Sequence, residues 1–228
     1  MAGPALVIAH RGASAYQPEN SLAAFRTALD MGADGIELDV HDTSDGAMLV
    51  HHDPEIDGHL IQSRPAAAFG AHRLSNGEPV PALEDALAAI GPGAMVYVEV
   101  KSLTPSHDPA LLARLAAAPA PQRCHVHGFD HRIVRRLRQA RPNLTGGVLS
   151  TSYPVDPWSQ LTAAGATELW QHHSMIDPEL VAGAHARGVA VFAWTVDDPG
   201  RLRALLEMEV DGVCTNCPDV ARRVVDQC

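Results

Sequence analysis

Gly35-Ile36-Glu37-Leu38-Asp39-Val40 decides the fold of this chain, because it sets two carboxylates inside an apolar run. In an extended strand, side chains alternate between faces. Ile36, Leu38 and Val40 therefore point one way, and Glu37 and Asp39 point the other, about 7 Å apart. Two acids sharing one interior are held there at a cost unless a cation or several donors compensate. A divalent metal is the simplest compensation, and hard oxygen ligands suit Mg2+, Ca2+ or Mn2+ better than zinc. The competing reading is an edge strand with its acidic face in water.

Working outward, the same alternation recurs at Val98-Glu99-Val100-Lys101, where two apolar residues again face away from two charged ones. Before the decisive stretch, Pro4 to His10 reads as a strand. Asn20-Ser21 opens a helical pattern through Leu22, Phe25, Ala28 and Leu29, with Asn20 as its expected N-cap. After it, short apolar strands and amphipathic helices alternate to the end of the chain, giving about eight βα units. Such a succession implies a parallel sheet covered by helices, and eight units in 228 residues fit a closed (β/α)8 TIM barrel, with a doubly wound open sheet as runner-up. Residues 1–228 are expected to form one barrel domain. Residues 54–79, rich in Gly, Pro and Ala and without a firm period, read as a small insertion after the second strand.

The formal charge of −10 argues against a nonspecific nucleic-acid partner and against a polybasic membrane contact. No stretch has the length and apolarity of a transmembrane span, and Met1 to His10 lacks the basic region of a signal peptide. The four cysteines form no dense framework, and Cys214-x-x-Cys217 lacks the second pair a structural zinc site wants. Reduced thiols and a cytoplasmic location are the expectation.

In a barrel, polar residues near the C-terminal ends of strands converge on one mouth. His10, Glu37, Asp39, Glu99, Lys101 and Trp194 all fall near such ends. Glu37, Asp39 and Glu99, from two strands, have the geometry a hard divalent cation needs. His10 and His52 suit acid and base work near neutral pH, and Arg11 and Lys101 supply donors for an oxyanion. Of the adjacent pair His51-His52, only one side chain can face the mouth. His172-His173 is expected to diverge into a solvated loop for the same reason, and Glu19 is a weaker polar candidate.

These residues resemble the glycerophosphodiester phosphodiesterases. The likeness rests on His10-Arg11-Gly12, Pro18-Glu19-Asn20-Ser21, Glu37-Leu38-Asp39, His52-Asp53, Val98-Glu99-Val100-Lys101, Phe129-Asp130, Trp194-Thr195 and Thr215-Asn216 with Pro218. The resemblance implies a (β/α)8 barrel in which His10 and His52 are the acid/base pair. It implies that Glu37, Asp39 and Glu99 hold a divalent ion, Mg2+ or Ca2+, that Arg11 and Lys101 hold phosphate, and that Trp194 packs on glycerol. The implied substrate is a small glycerophosphodiester, cleaved through a cyclic phosphate. Two departures stand out: Gly58-His59-Leu60 follows His52-Asp53 where the family usually carries Arg-Thr-Thr, and Gly128 stands where Ser is common. Two other classes compete. A Schiff-base aldolase would use Lys101, which Glu99 should instead keep charged. A non-catalytic phosphoester-binding barrel would have no need of both histidines.

Overall fold

The computed structural model describes residues 4–228, so the first three residues of the Met1–His10 stretch, read above as lacking a signal peptide, lie outside them. Eight parallel strands form the barrel: β1 (Leu6–His10), β2 (Gly35–Asp42), β3 (Met95–Ser102), β4 (Cys124–Gly128), β5 (Thr145–Ser150), β6 (Glu168–His172), β7 (Ala190–Trp194) and β8 (Gly212–Thr215). Strand β1 pairs with both β8 and β2, so the sheet closes and the open-sheet alternative is excluded. Helices α1 (Leu22–Asp30), α2 (Leu83–Ile90), α3 (Asp108–Ala116), α4 (His131–Ala140), α5 (Trp158–Ala164), α6 (Pro178–His185), α7 (Pro199–Glu207) and α8 (Pro218–Val225) follow the strands in turn.

Local chemistry starts these helices where they are needed. Asp130, Asp177 and Asp198 each accept a backbone N–H in the first turn of α4, α6 and α7, and proline opens α6, α7 and α8, where its missing N–H costs nothing. At α1 the N-cap is Ser21, whose hydroxyl accepts from the Ala24 amide at 3.0 Å. Asn20 is not the cap, and its side chain is used at the mouth instead.

Two apolar layers result. Outward-facing strand residues such as Ile36, Leu38, Val98 and Val100 pack under helix residues including Phe25, Leu83, Leu111 and Leu137. Inside the barrel, Ile8, Tyr97, Leu149, Trp170, Phe192 and Cys214 form a plug, with Trp170 stacked on Phe192 at 4.8 Å. Gly147 makes room for it, since a Cβ there would lie 2.8 Å from the Trp170 indole. The plug fills the barrel below the mouth and separates the acids at its C-terminal end from the His125–Glu168 pair (2.6 Å) near the strand starts.

Between β2 and α2 the chain first turns back as Met48–Val50, antiparallel to the end of β2. Residues 54–79 then contain the hairpin Glu55–Ile56/His59–Leu60 and two 3-10 turns, Ile61–Ser63 and Ala66–Phe69. The hairpin turns at Asp57-Gly58, both at positive φ (52° and 76°), the conformation an Asp-Gly turn favours. A small cluster of Leu49, Ile56, Ile61 and Phe69 holds this segment down. Strands of two residues are too short to leave a period in the sequence. Among the described residues, no helix is long and apolar enough to cross a membrane.

Candidate active site

Register brings the acids together. Asp39 on β2 lies opposite Glu99 on β3, and Glu37 lies opposite His10 on β1. One carboxylate oxygen from each of Glu37, Asp39 and Glu99 lies within 4.8 Å of the others, and all three residues are buried. Above them opens a cavity of about 100 Å³ whose lining includes His10, Arg11, His52, Lys101, Phe129 and Trp194. His52, carried just beyond Met48–Val50, faces this cavity, whereas His51 packs against His72.

Asp39 is the most heavily partnered of the three acids. Arg11 Nε lies 3.0 Å from its Oδ2 and Lys101 Nζ lies 3.4 Å from its Oδ1. Asn20 clasps it twice: Nδ2 donates to Asp39 Oδ2 at 2.8 Å, and Oδ1 accepts the Asp39 amide at 3.2 Å. Burial works against its charge, but Arg11 and then Lys101 outweigh burial and hold its pKa below the usual carboxylate range. Lys101 Nζ also meets Glu99 Oε1 at 2.9 Å. Burial lowers the lysine's pKa, yet Asp39 and Glu99 together more than restore it, so the amine stays protonated and is a poor Schiff-base nucleophile.

Glu37 and Glu99 behave oppositely. Burial, then the charge on Asp39, pushes each up to about 7. Among the described residues, Glu37 Oε1 and Asp39 Oδ1 are buried without a hydrogen bond. Two cations thus face three acids, with orphaned carboxylate oxygens between them. This donor set fits a hard divalent cation, which would supply both the missing charge and the missing partners.

The two histidines are held differently. His10 Nδ1 lies 2.8 Å from Asn216 Oδ1, which also accepts from the Ser14 hydroxyl at 2.8 Å. Asn216 Nδ2 donates to Asp197 Oδ2 at 2.7 Å, and Thr215 Oγ1 and the Asn216 amide donate to Asp197 Oδ1, each at 2.8 Å. Those donations orient the Asn216 amide with its oxygen toward His10, so His10 carries its proton on Nδ1 and leaves Nε2 as an acceptor. His52 Nδ1 instead meets the Asp53 carboxylate at 2.9 Å.

The Arg11-Gly12 turn sets these groups on the rim. Arg11 has φ 56°, and its amide donates to Glu37 Oε2 at 3.1 Å. Gly12 has φ 81°, and a Cβ there would lie 2.6 Å from the Ala24 backbone. Gly12→Ala is therefore expected to destabilise the protein by at least about 1–3 kcal/mol, the usual range for overpacking, because backbone and not a flexible side chain must yield. A melting temperature equal to that of the unsubstituted protein would show that the turn tolerates the methyl group.

Trp194 donates from Nε1 to the Trp170 carbonyl at 3.0 Å and meets Phe129 and His172 edge-on at 5.6 and 5.4 Å, forming an aromatic wall of the cavity. His172 and His173 do not diverge. Their ring centroids are 4.7 Å apart, because His172 ends β6 and caps a 3-10 turn. Glu19 pairs with Arg11 at 2.8 Å on the exposed side. Sequence reasoning missed Asn20, Asn216, Asp197 and His127. Asn20 and Asn216 stood in the motifs of the resemblance without a role at the mouth, and His127 carried a signal of its own, since alternation in Cys124-His125-Val126-His127-Gly128 puts it inside, at the end of a strand.

A family model described as the glycerophosphoryl diester phosphodiesterase family matches residues 10–220. A glycerophosphodiester phosphodiesterase of Caldanaerobacter subterraneus is 33% identical over 236 residues, covering 96% of this chain and 97% of that protein. A probable glycerophosphodiester phosphodiesterase 2 of Mycobacterium tuberculosis is 30% identical over 244 residues, covering 98% of this chain and 91% of that protein. A crystal structure of a glycerophosphodiester phosphodiesterase from Parabacteroides distasonis superposes with a TM-score of 0.89 at 26% identity, over 100% of this chain and 99% of that one. An Oleispira antarctica phosphodiesterase, solved with the product sn-glycerol-3-phosphate, superposes with a TM-score of 0.89 at 25% identity, over 98% and 97% of the two chains. A match over residues 10–220, spanning every barrel strand from the end of β1 to β8, places the motifs of the mouth and the closed barrel in one lineage: the chain belongs to the glycerophosphoryl diester phosphodiesterase family.

Proposed function

We propose that this enzyme hydrolyses glycerophosphodiesters to glycerol 3-phosphate and an alcohol, with His10 and His52 as its proton-transfer pair. The observation that carries this reading is their placement on one small cavity, together with three buried acids and two cationic side chains. Glu37, Asp39 and Glu99 would hold a divalent cation, which supplies positive charge to the phosphate. Arg11 and Lys101, on the cavity lining, offer N–H donors to the phosphate oxygens. Trp194 and Phe129 present apolar faces on which the glycerol carbons pack.

The substrate's own 2-hydroxyl is the nucleophile. His10 Nε2 takes its proton as the oxygen bonds to phosphorus. The bond from phosphorus to the alcohol oxygen breaks, and protonated His52 donates to the departing alkoxide. The product is a cyclic phosphate. Water then attacks phosphorus as the bond from phosphorus to the 2-oxygen breaks; His52 takes the water proton, His10 returns its proton to the 2-oxygen, and both rings recover their starting states. This assignment follows the partners on Nδ1: the Asn216 amide oxygen takes the His10 Nδ1 proton and leaves Nε2 as the acceptor, while the Asp53 carboxylate accepts from His52 Nδ1.

An internal hydroxyl gains from proximity, with effective molarities reaching about 10⁵ M or more. Glycerophosphocholine should accordingly release its alcohol far faster than the 2-deoxy analogue, and chelator should suppress that release. Equal rates on the two diesters would sink the internal nucleophile. Absence of glycerol 3-phosphate from every diester tried would favour a binding barrel, and inactivation by borohydride with a carbonyl substrate would favour a Schiff-base lyase.

A further inference from the structure

One buried side chain at the mouth has no part in the proton transfers. His127, at the end of β4, is 2% exposed, and among the described residues neither of its ring nitrogens has a hydrogen-bond partner. A neutral imidazole carries one N–H and one lone pair, and buried polar groups of this kind are almost always satisfied. The ring is not adrift: it stands opposite Glu99 in the β3–β4 register and packs edge-on against Trp170 at 4.2 Å. That packing helps hold Nε2 at 3.7 Å from Glu37 Oε1, which itself lacks a hydrogen bond. His127 also lines the cavity above the acids. Three buried orphan atoms, His127 Nε2, Glu37 Oε1 and Asp39 Oδ1, thus belong to one small group of side chains.

We propose that His127 is a nitrogen ligand of the cation site formed by Glu37, Asp39 and Glu99, and that it shifts the site's preference from Mg2+ or Ca2+ toward Mn2+ and related first-row ions. The inference rests on the reading that the three acids hold a cation. A distance of 3.7 Å suits two atoms that share a metal ion better than it suits a hydrogen bond between them. Glu37 belongs to the cluster that Asp39 and Glu99 complete; His127 stands outside its 4.8 Å spacing, so the ion would have to draw the ring and the acids together. Carboxylates alone favour Mg2+, Ca2+ and Mn2+ with little discrimination, whereas imidazole adds affinity for transition ions and none of consequence for Ca2+. Trp170 on the ring's flank sets its orientation before an ion arrives.

The test uses Mn2+ and Ca2+ alone, with the full chain stripped of metal. Binding constants for each ion would be measured for the unsubstituted protein and for His127→Leu, and bound Mn2+ would be examined by pulsed electron paramagnetic resonance for coupling to a directly bonded nitrogen. The expected result is a nitrogen coupling that disappears in His127→Leu. Mn2+ affinity should fall at least about tenfold in that variant while Ca2+ affinity changes little. His127→Gln, which keeps a polar group but no imidazole, should also lose the coupling and serves if the leucine variant fails to fold. Bound Mn2+ without nitrogen coupling overturns the proposal and leaves the three-acid site standing, as does a coupling that survives in both variants. No Mn2+ binding to the unsubstituted protein overturns both the proposal and the cation reading beneath it.

Discussion

His10→Ala is expected to lower kcat by about 10²–10⁴-fold while leaving the cation's effect on stability intact. Its Nδ1 belongs to Asn216, and no acid of the cluster hydrogen-bonds its ring, so removing the imidazole takes away a proton acceptor and leaves Glu37, Asp39 and Glu99 in place. A ligand that binds only the folded state stabilises by RT ln(1 + [L]/Kd), about 2.7 kcal/mol at a hundredfold excess over Kd. That increment should appear unchanged in His10→Ala and in His52→Ala, and should largely vanish in Glu37→Gln. Melting curves with divalent cation and with chelator, beside rates of glycerol 3-phosphate release, separate the two roles. If His10→Ala loses the cation response while Glu37→Gln keeps it, the assignment of proton carriers and ligands is inverted. Asn216→Ala should give a smaller loss of kcat than His10→Ala, since it frees the imidazole to rotate or change tautomer without removing it.

The parts of this site that a sequence displays are those set by local periodicity. Alternation in β2 and β3 puts Glu37, Asp39, Glu99 and Lys101 inside the barrel, and strand-helix succession places them at its C-terminal end. Asn20 and Asn216 escape that logic. Asn20 acts on a residue 19 positions away and Asn216 on one 206 positions away, and neither distance has a local pattern. Asn20 was disguised as a helix cap, because Asn20 and Ser21 are both good caps and only the fold shows that Ser21 serves. His127 was hidden by number, as one of 13 histidines, although strand alternation already turned it inward. The hairpin at Asp57-Gly58 carried a recognised turn pair, but its two-residue strands gave the pair nothing to join.

Without metal, Glu37→Gln and Asp39→Asn are expected to move stability in opposite directions. Sequence alone suggests that two neighbouring carboxylates repel, so that neutralising either one should help. The structure divides them. Asp39 is 0% exposed and faces Arg11 at 3.0 Å, Lys101 at 3.4 Å and the Asn20 amide at 2.8 Å. Asp39→Asn leaves both cations without their shared partner in a largely buried site, and breaking such a pair costs about 3–5 kcal/mol. Glu37 keeps a single backbone donor, Arg11 N, and burial followed by the Asp39 charge lifts its pKa to about 7. A carboxyl whose pKa is raised by folding contributes stability that is fully present below its unfolded pKa and is lost as pH rises through its folded pKa. The metal-free protein should therefore lose stability between about pH 5.5 and 8.5, by roughly 2 kcal/mol from Glu37 alone. Glu99 shifts in the same direction and remains in the variant, so the comparison is between the two pH slopes. Glu37→Gln should flatten the slope and, at pH 8.5 in chelator, melt above the unsubstituted protein; Asp39→Asn should melt below it at both pH values. An Asp39→Asn variant that melts higher in chelator at pH 8.5 would mean that repulsion between the acids, and not their pairing with Arg11 and Lys101, governs the empty mouth.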